Sequence, residues 1–148
     1  MTTYFFDTSA LVKRYHDEPG TARVDEIIEN KESDVVVSTL AVIETVSAMR
    51  RKYNRGDVSH SEMEQLVGVF FREALAEFVL APIEESVMAF SFDLILNDDL
   101  RTLDSLQLSA GLALHEDAGA AFVTADRDLA SIARERGLDT VVPGQTTD

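Results

Sequence analysis

Two of the 27 acidic residues stand where short apolar segments of the chain end. Asp7 directly follows residues 4–6, and Asp126 comes shortly after residues 121–123. In open parallel sheets, ligands bind at the carboxyl ends of the strands, so these two carboxylates would meet at one sheet edge if their strands are neighbours. The alternative for each is an N-cap, a position that Asp favours, and Asp128 could share that role with Asp126.

Two more acids lie in segments with helical periodicity and apolar neighbours. Glu44 lies within the apolar segment 40–46, and Asp104 follows Leu103 near the start of another helix. Burying an ionised carboxylate is costly unless it is paired or bound to a metal ion. The alternatives are an exposed stripe or a buried ion pair with an arginine for Glu44, and a favourable charge at a helix N-terminus for Asp104.

Carboxylates that converge in one pocket repel one another and raise each other's pKa, and a divalent cation removes this penalty. Hard cations such as Mg²⁺ prefer oxygen ligands. The sequence has no cysteine and its three histidines are scattered among polar residues, so no His–Cys ligand set competes. We therefore predict one site for Mg²⁺ or Mn²⁺, built from the four acids Asp7, Glu44, Asp104 and Asp126.

The elements that would position these acids alternate along the chain. Strands are predicted from apolar, β-branched segments at residues 4–6, 34–38, 78–81, 121–123 and 140–142. Helices are predicted at residues 8–15, from an N-cap at Thr21, at 40–55, after a capping box at 59–62, and at 84–96, 102–116 and 129–136. Such alternation predicts a three-layer α/β/α domain with a mostly parallel sheet. We expect one domain over residues 1–148, with a loose tail at 143–148.

Composition limits the classes of function. A net charge of −14 argues against binding nucleic acid by bulk attraction, although bound cations can still grip a phosphate. The absence of cysteine excludes disulfides and thiolate zinc sites, and it makes the cytoplasm the simplest compartment. The sequence has no apolar stretch long enough to span a membrane and no segment typical of a signal peptide.

Each of the four acids belongs to a short motif. The motifs are DTSALVK at residues 7–13, STLAVIE at 38–44, LDSLQL at 103–108 and VTADRDL at 123–129. In this order and spacing they resemble the PIN-domain family, and within it the VapC-type toxins of prokaryotic toxin–antitoxin pairs. The resemblance spans nearly the whole chain and implies the PIN-like parallel α/β/α fold. One departure is Gln107, at a position where relatives often have histidine.

The resemblance also implies roles for individual residues. The four acids would form the catalytic metal site, with Asp7 and Asp104 as the best candidates for direct ligands. Ser9 and Thr124 would be supporting hydroxyls, and Asp128 a further acid. The implied activity is a metal-dependent endoribonuclease that uses activated water and leaves a 5′-phosphate and a 3′-hydroxyl. The implied partners are an RNA substrate, such as transfer RNA, a cognate antitoxin and a second copy of the chain.

Two surfaces would serve these partners. The dense basic segment Arg50, Arg51, Lys52 and Arg55 could hold RNA phosphates, or it could simply be favourable charge at the end of a helix. A second set could form a dimer or antitoxin groove, or belong to a thicker core; its members are Met63, Leu66, Val67, Phe70 and Phe71.

Three other classes of protein also place acids at the ends of strands. A receiver domain needs a late lysine, and this chain has none after Lys52. A haloacid-dehalogenase-like phosphatase needs a second Asp two residues after the first, where this chain has Ser9. A catalytically inactive PIN-like module that binds a protein stays open as an alternative, although the retention of all four acids argues against it.

Overall fold

The computed structural model describes residues 1–144 and contains a sheet of five parallel strands. The strands are β1 (Thr2–Phe6), β2 (Ser33–Ser38), β3 (Val79–Ala81), β4 (Ala121–Val123) and β5 (Thr140–Val141). Their order across the sheet is β3-β2-β1-β4-β5. The chain therefore moves outward from β1 through β2 to β3 and then crosses back to β4 on the other side of β1. Such a reversal of strand order opens a crevice at the carboxyl ends of the strands.

Seven α-helices connect these strands within residues 1–144. They are α1 (Thr8–Leu11), α2 (Thr21–Glu29), α3 (Thr39–Asn54), α4 (His60–Glu77), α5 (Glu85–Asp98), α6 (Thr102–Ala118) and α7 (Arg127–Glu135). A 3-10 turn, Val12–Arg14, continues α1. Helices α1 to α4 contribute to the core on one face of the sheet, and α5 to α7 contribute to the core on the other. The predicted three-layer α/β/α fold is confirmed.

Alternate side chains of the central strands serve the two cores. Phe6 belongs to the core beneath α1 to α4, whereas Phe5 belongs to the core beneath α5 to α7 and stacks on Phe122 of β4. Valines of β2 are buried on both faces, which is typical of a parallel strand covered by helices on both sides. Gly111 of α6 lies against Phe122 so closely that a Cβ there would meet its Cδ1 at 2.7 Å. Helix α6 therefore packs directly on the sheet.

Side chains cap the starts of three of the seven α-helices in residues 1–144: Ser38 caps α3, Ser59 caps α4 and Asp126 caps α7. The predicted capping box is present, because Glu62 N donates to Ser59 Oγ and Ser59 N donates to Glu62 Oε1, each across 3.1 Å. The predicted N-cap at Thr21 is wrong. Gly20 is the N-cap of α2 with a φ of 99°, and Thr21 is the first helical residue. The Thr21 hydroxyl instead accepts from Glu18 N and donates to Lys13 O, which ties down the loop before α2.

The apolar residues of α4 do not form a single exposed surface. Phe70 is fully buried, so its assignment to a partner groove is corrected. Met63, Leu66 and Val67 are partly buried against the same core, which favours the alternative of a thicker core for them. Only Phe71 of the five is exposed, at 41%.

Two further predictions concern the end of the chain and the absence of a membrane-spanning segment. Pro143 is buried beside Gly20, so the expected loose tail does not begin there, and its residues 145–148 lie outside the described residues. None of the helices in residues 1–144 has the length and apolar character needed to cross a membrane.

Candidate active site

Asp7 lies between β1 and α1 and is only 5% exposed. Its backbone N–H donates to Val123 O across 2.9 Å, which joins the end of β1 to the end of β4. Although Asp7 occupies the N-cap position of α1, its side chain makes no capping hydrogen bond. Its Oδ2 instead accepts from Ser9 Oγ and from Thr124 Oγ1, each across 2.8 Å. The carboxylate is therefore not explained by capping.

The supporting hydroxyls hold one another as well as Asp7. Ser9 Oγ and Thr124 Oγ1 lie 3.2 Å apart. Ala125 N donates to Ser9 Oγ across 2.9 Å, and Asp126 N donates to Thr124 Oγ1 across 3.1 Å. Both hydroxyls are thus fixed by backbone N–H groups after β4 and can direct their protons at Asp7.

Burial raises the pKa of Asp7 from its ordinary value of 3.8 to about 6. The hydrogen bonds from Ser9 and Thr124 oppose this rise because they favour the ionised form. The negative charges of Asp104 and Glu44 add to it. Two acids that are far from Asp7 in the sequence therefore lie near enough for their charges to act on it.

Glu44 is half-buried on α3 and is held by two uncharged donors. Thr8 Oγ1 and Gln107 Nε2 both donate to its Oε1, each across 3.1 Å. Within residues 1–144 no arginine or lysine forms an ion pair with Glu44, so the alternative of a buried ion pair is not realised.

Asp104 lies in the first turn of α6 and is half-buried. Burial raises the pKa of Asp104; the nearby charge of Arg101 opposes the rise, and the charge of Asp126 adds to it. Arg101 Nη2 lies 3.6 Å from Asp104 Oδ2, but its side chain is 88% exposed. An exposed ion pair of this kind contributes little and can open readily.

Asp126 combines two roles. Its Oδ1 accepts from the backbone N–H groups of Asp128 and Leu129, across 3.0 and 3.1 Å, so it is the N-cap of α7. The N-cap role that was the alternative for Asp126 is therefore filled by its Oδ1. The charge of the same side chain also raises the pKa of Asp104. Asp128 does not share the capping role through its side chain; it is exposed in the first turn of α7.

Sequence reasoning noted Gln107 only as a departure that could alter a contact near the ligands or the substrate preference, and it missed the direct contact of this 1% exposed residue with Glu44. It also missed Thr8 and Ser38, whose hydroxyls complete the same hydrogen-bond network. Only Gln107 gave a signal of the kind that singled out Glu44, since it stands between Leu106 and Leu108 in an apolar segment.

The carboxylates suit a hard divalent cation by their chemistry. Asp7 and Glu44 have only uncharged donors in the described structure, and each accepts both hydrogen bonds on one oxygen, so their charge and second oxygen remain available. Yet among residues 1–144 no three acidic or histidine side chains are already close enough to form a metal cage. A cation held by three of these carboxylates would need them to lie closer together than they do in this structure. Two cavities of about 500 and 600 Å³ lie away from the four acids.

The four residues of the basic segment differ in exposure. Arg50, Arg51 and Arg55 are exposed at the end of α3. Lys52 is only 7% exposed, and its Nζ lies 2.6 Å from Glu18 Oε2. The assignment of Lys52 to an RNA-contacting surface is corrected, because a buried and paired ammonium group cannot reach a phosphate.

Comparisons with known proteins found relatives in sequence and in fold. Ribonuclease VapC47 of Mycobacterium tuberculosis (strain CDC 1551 / Oshkosh) is 29% identical over 143 residues, which cover 95% of this chain and 96% of that protein. The structure of VapC20 from Mycobacterium tuberculosis, described as a Sarcin-Ricin loop cleaving toxin, has a TM-score of 0.66 at 14% identity and covers 95% of this chain and 99% of its own. VapBC2 from Rickettsia felis, bound to a DNA fragment from its promoter, has a TM-score of 0.65 at 14% identity, with 96% and 99% covered.

At these identities the two structures show a common fold and nothing further. The family is shown by a different comparison. The model of the PIN domain matches residues 4–135 of this chain, a span that contains the four acids, both supporting hydroxyls, strands β2 to β4 and the end of β1. The chain therefore belongs to the PIN domain family.

Proposed function

We propose that this protein is a metal-dependent endoribonuclease and the toxin of a VapBC-type toxin–antitoxin pair. The observation that carries the proposal is the environment of Asp7. This carboxylate is buried, lies near the charges of Asp104 and Glu44, and has only hydroxyl partners among the described residues. Such an arrangement destabilises the ionised acid unless a cation is present. The similarity to Ribonuclease VapC47 supports RNA as the substrate class.

The proposed ligands for Mg²⁺ or Mn²⁺ are Asp7, Glu44, Asp104 and Asp126, with Asp7 and Asp104 binding directly. When bound, such an ion lowers the pKa of water and offsets the charge that builds on a phosphate during hydrolysis. The protein supplies the positions of the carboxylates. Ser9 and Thr124 hold Asp7 through Oδ2, and the N-cap contacts of Asp126 keep that side chain at the start of α7. Asp128, which is exposed two residues after Asp126, is proposed as a further acid of the site.

The chain must also hold a polyanion although its net charge is −14. The exposed arginines at the end of α3 are the proposed contacts to RNA phosphates: Arg50, Arg51 and Arg55. They belong to the helix that carries Glu44, so the phosphate backbone would run from the end of α3 toward the acids. These contacts position RNA but do not read its sequence.

The proposed regulation is by a cognate antitoxin, and the proposed working form is a homodimer. The similarity to the VapBC2 structure supports the antitoxin. Phe71 remains exposed on α4 and is the one member of the predicted α4 set that is free to contribute to such a surface. Cleavage of cellular RNA would take place in the cytoplasm, and the chain is proposed to act as one domain.

The direct test uses purified protein without antitoxin and a mixed pool of structured RNA. Cleavage should require Mg²⁺ or Mn²⁺ and should stop when a chelator is added. Asp7→Asn and Asp104→Asn should each abolish most cleavage while the circular dichroism spectrum stays unchanged. Asp34→Asn is the matched control, because Asp34 is exposed near the amino end of β2 and lies outside the site.

Full activity of both site variants would overturn the assignment of Asp7 and Asp104. The inactive protein-binding module is separated from the nuclease by a Mn²⁺ titration. The nuclease should bind Mn²⁺ in a way that Asp7→Asn weakens, whereas the inactive module should have no carboxylate-dependent site.

A further inference from the structure

Gln107 is the only fully buried side-chain amide in the described part of the chain, and all of its polar groups face the candidate site. Its Oε1 accepts from Ser38 Oγ across 3.0 Å. Its Nε2 donates to Thr8 Oγ1 across 3.2 Å and to Glu44 Oε1 across 3.1 Å. One amide from α6 therefore joins the end of β2, the start of α1 and the middle of α3.

The chemistry of the neighbours fixes the orientation of this amide. An ionised Glu44 can only accept hydrogen bonds, so the NH₂ group of Gln107 must face it. Ser38 Oγ already accepts from Ala41 N as the N-cap of α3, and it directs its proton at Gln107 Oε1. Reversing the amide would place its oxygen against the carboxylate of Glu44 and its NH₂ group against an engaged hydroxyl. Only this orientation of the Gln107 amide therefore pairs each donor in the network with an acceptor.

The Glu44 carboxylate is held by hydrogen bonds to only one of its two oxygens. Glu44 Oε1 receives both hydrogen bonds, from Thr8 and from Gln107, whereas among residues 1–144 no donor reaches Oε2. Asp7 shows the same arrangement, with both of its donors on Oδ2. All four donors are uncharged. They restrict each side chain and leave its negative charge without a compensating cation.

We propose that Gln107 is a positioning residue that holds Glu44 by Oε1 and presents Oε2 to the divalent cation. This inference rests on the proposed function, because it assigns Glu44 to the cation site. It assigns to Gln107 a task that a purely structural amide would not have. Groups that orient metal ligands from behind typically change metal affinity by about 10- to 100-fold when they are removed.

The test measures Mn²⁺ binding by the protein alone, through titration calorimetry or electron paramagnetic resonance. Gln107→Leu, of similar size but without donors, should weaken Mn²⁺ binding by about 10-fold or more. Thr8→Val removes the other donor to the same oxygen and should weaken it in the same direction. Gln107→His retains one N–H donor at mildly alkaline pH and should recover much of the loss.

The matched control is Ser109→Ala, which also removes a buried polar group from α6, but one that donates to Val87 O on the side of α5. It should leave the dissociation constant for Mn²⁺ unchanged. In RNA cleavage, Gln107→Leu should raise the Mn²⁺ concentration needed for half-maximal rate by about 10-fold and change the rate at saturating Mn²⁺ much less. A uniform loss at every Mn²⁺ concentration would contradict a positioning role.

The outcomes also separate this inference from the proposed function. If the unsubstituted protein binds Mn²⁺ and cleaves RNA while Gln107→Leu and Thr8→Val bind Mn²⁺ equally well, the inference is overturned and the nuclease stands. If Gln107→Leu does not fold, Thr8→Val decides alone, since valine matches threonine in shape. If the unsubstituted protein binds no Mn²⁺, both proposals are overturned.

Discussion

Thr124 Oγ1 donates a hydrogen bond to Asp7 Oδ2 across 2.8 Å, although the two residues lie 117 positions apart in the chain. The contact follows from the pairing of β1 with β4, in which Phe6 and Val123 are in register and each strand ends one residue before its member of the pair. Both groups are buried, with Asp7 5% exposed and Thr124 0% exposed. The order of the strands in the sheet thus brings Thr124 and Asp7 together and allows this hydrogen bond in the candidate site.

Thr124→Val should move the acidic limb of the pH–rate profile to higher pH. The Thr124 hydrogen bond lowers the pKa of Asp7, so its loss raises that pKa further and keeps the acid protonated at higher pH. The shift should be measured as kcat/KM against pH at subsaturating Mn²⁺, where protons and metal compete. Thr45→Val is the control, because Thr45 is equally buried but donates to the backbone of Ala41. An unshifted limb in Thr124→Val would contradict the role of this bond.

Asp7 should make the metal-free protein less stable as pH rises. Its folded pKa of about 6 lies above the ordinary value of 3.8, so the folded state binds more protons than the unfolded state between these values. Stability from this group is therefore present at low pH and is lost as pH rises toward about 6. A difference of about 2 pKa units corresponds to roughly 3 kcal/mol of unfolding free energy.

The measurement is urea unfolding in the presence of chelator at several pH values, for the unsubstituted protein and Asp7→Asn. The variant should be more stable at neutral pH by up to about 3 kcal/mol and should lose this part of the pH dependence. Mn²⁺ should stabilise the unsubstituted protein more at neutral than at acidic pH. Equal unfolding free energies of the two proteins at neutral pH would show that burial of the ionised Asp7 carboxylate does not destabilise the folded protein.

Sequence reasoning reached the sheet and the four acids because both leave a periodic or local signal. Strand-end acids and β-branched segments are visible in neighbouring residues, and the chain order of four motifs is visible without coordinates. The network of Gln107, Thr8 and Ser38 is not local. These residues meet only because α6 packs across the sheet from α1 and α3, and no spacing in the sequence encodes that contact.

The burial of Lys52 was missed for a related reason. In the sequence it stands among arginines at the end of a helix, where exposure is the ordinary outcome. In the fold it faces the loop before α2, where Glu18 accepts from it. Helical phase alone would have placed Lys52 near the buried Met49 and Thr45 side of α3, and that signal could have separated it from Arg50 and Arg51.

Lys52→Met should destabilise the fold and leave RNA binding almost unchanged. Hydrogen bonds and charges from Lys52 and Lys13 lower the pKa of Glu18 against the effect of burial, so removing Lys52 leaves a partly buried carboxylate with one weaker partner. The expected loss is about 1–3 kcal/mol of unfolding free energy. Arg51→Met, one residue away and exposed, should change stability by less than about 0.5 kcal/mol. Comparable losses in the two variants would contradict the separate placement of Lys52.

Arg50→Ala combined with Arg51→Ala should raise KM for RNA several-fold and leave kcat nearly constant. Removing two phosphate contacts should also make the dependence of binding on salt less steep, by about 0.7 to 0.9 in the log–log slope for each contact. Lys31→Ala is the control, since Lys31 is exposed just before β2, away from the carboxyl ends of the strands. An unchanged KM and salt slope in the double variant would exclude these arginines from the RNA surface.

Two glycine-to-alanine changes should have opposite effects, because the two glycines differ in what a methyl group would meet. In α4, an added Cβ at Gly68 would have Arg72 Nη1 as its nearest neighbour at 3.4 Å, so Gly68→Ala should stabilise the protein by up to about 1 kcal/mol through helix propensity.

In α6, the Cβ of Gly111→Ala would lie 2.7 Å from Cδ1 and 3.0 Å from Cε1 of the buried Phe122. Overpacking of this kind typically costs about 1–3 kcal/mol, more than the gain in propensity. Since α6 also carries Asp104 and Gln107, moving it off the sheet should weaken Mn²⁺ binding as well as stability, whereas Gly68→Ala should leave Mn²⁺ binding unchanged. Thermal unfolding and the same Mn²⁺ titration measure both effects, and a stabilised Gly111→Ala variant would show that α6 does not depend on this close approach.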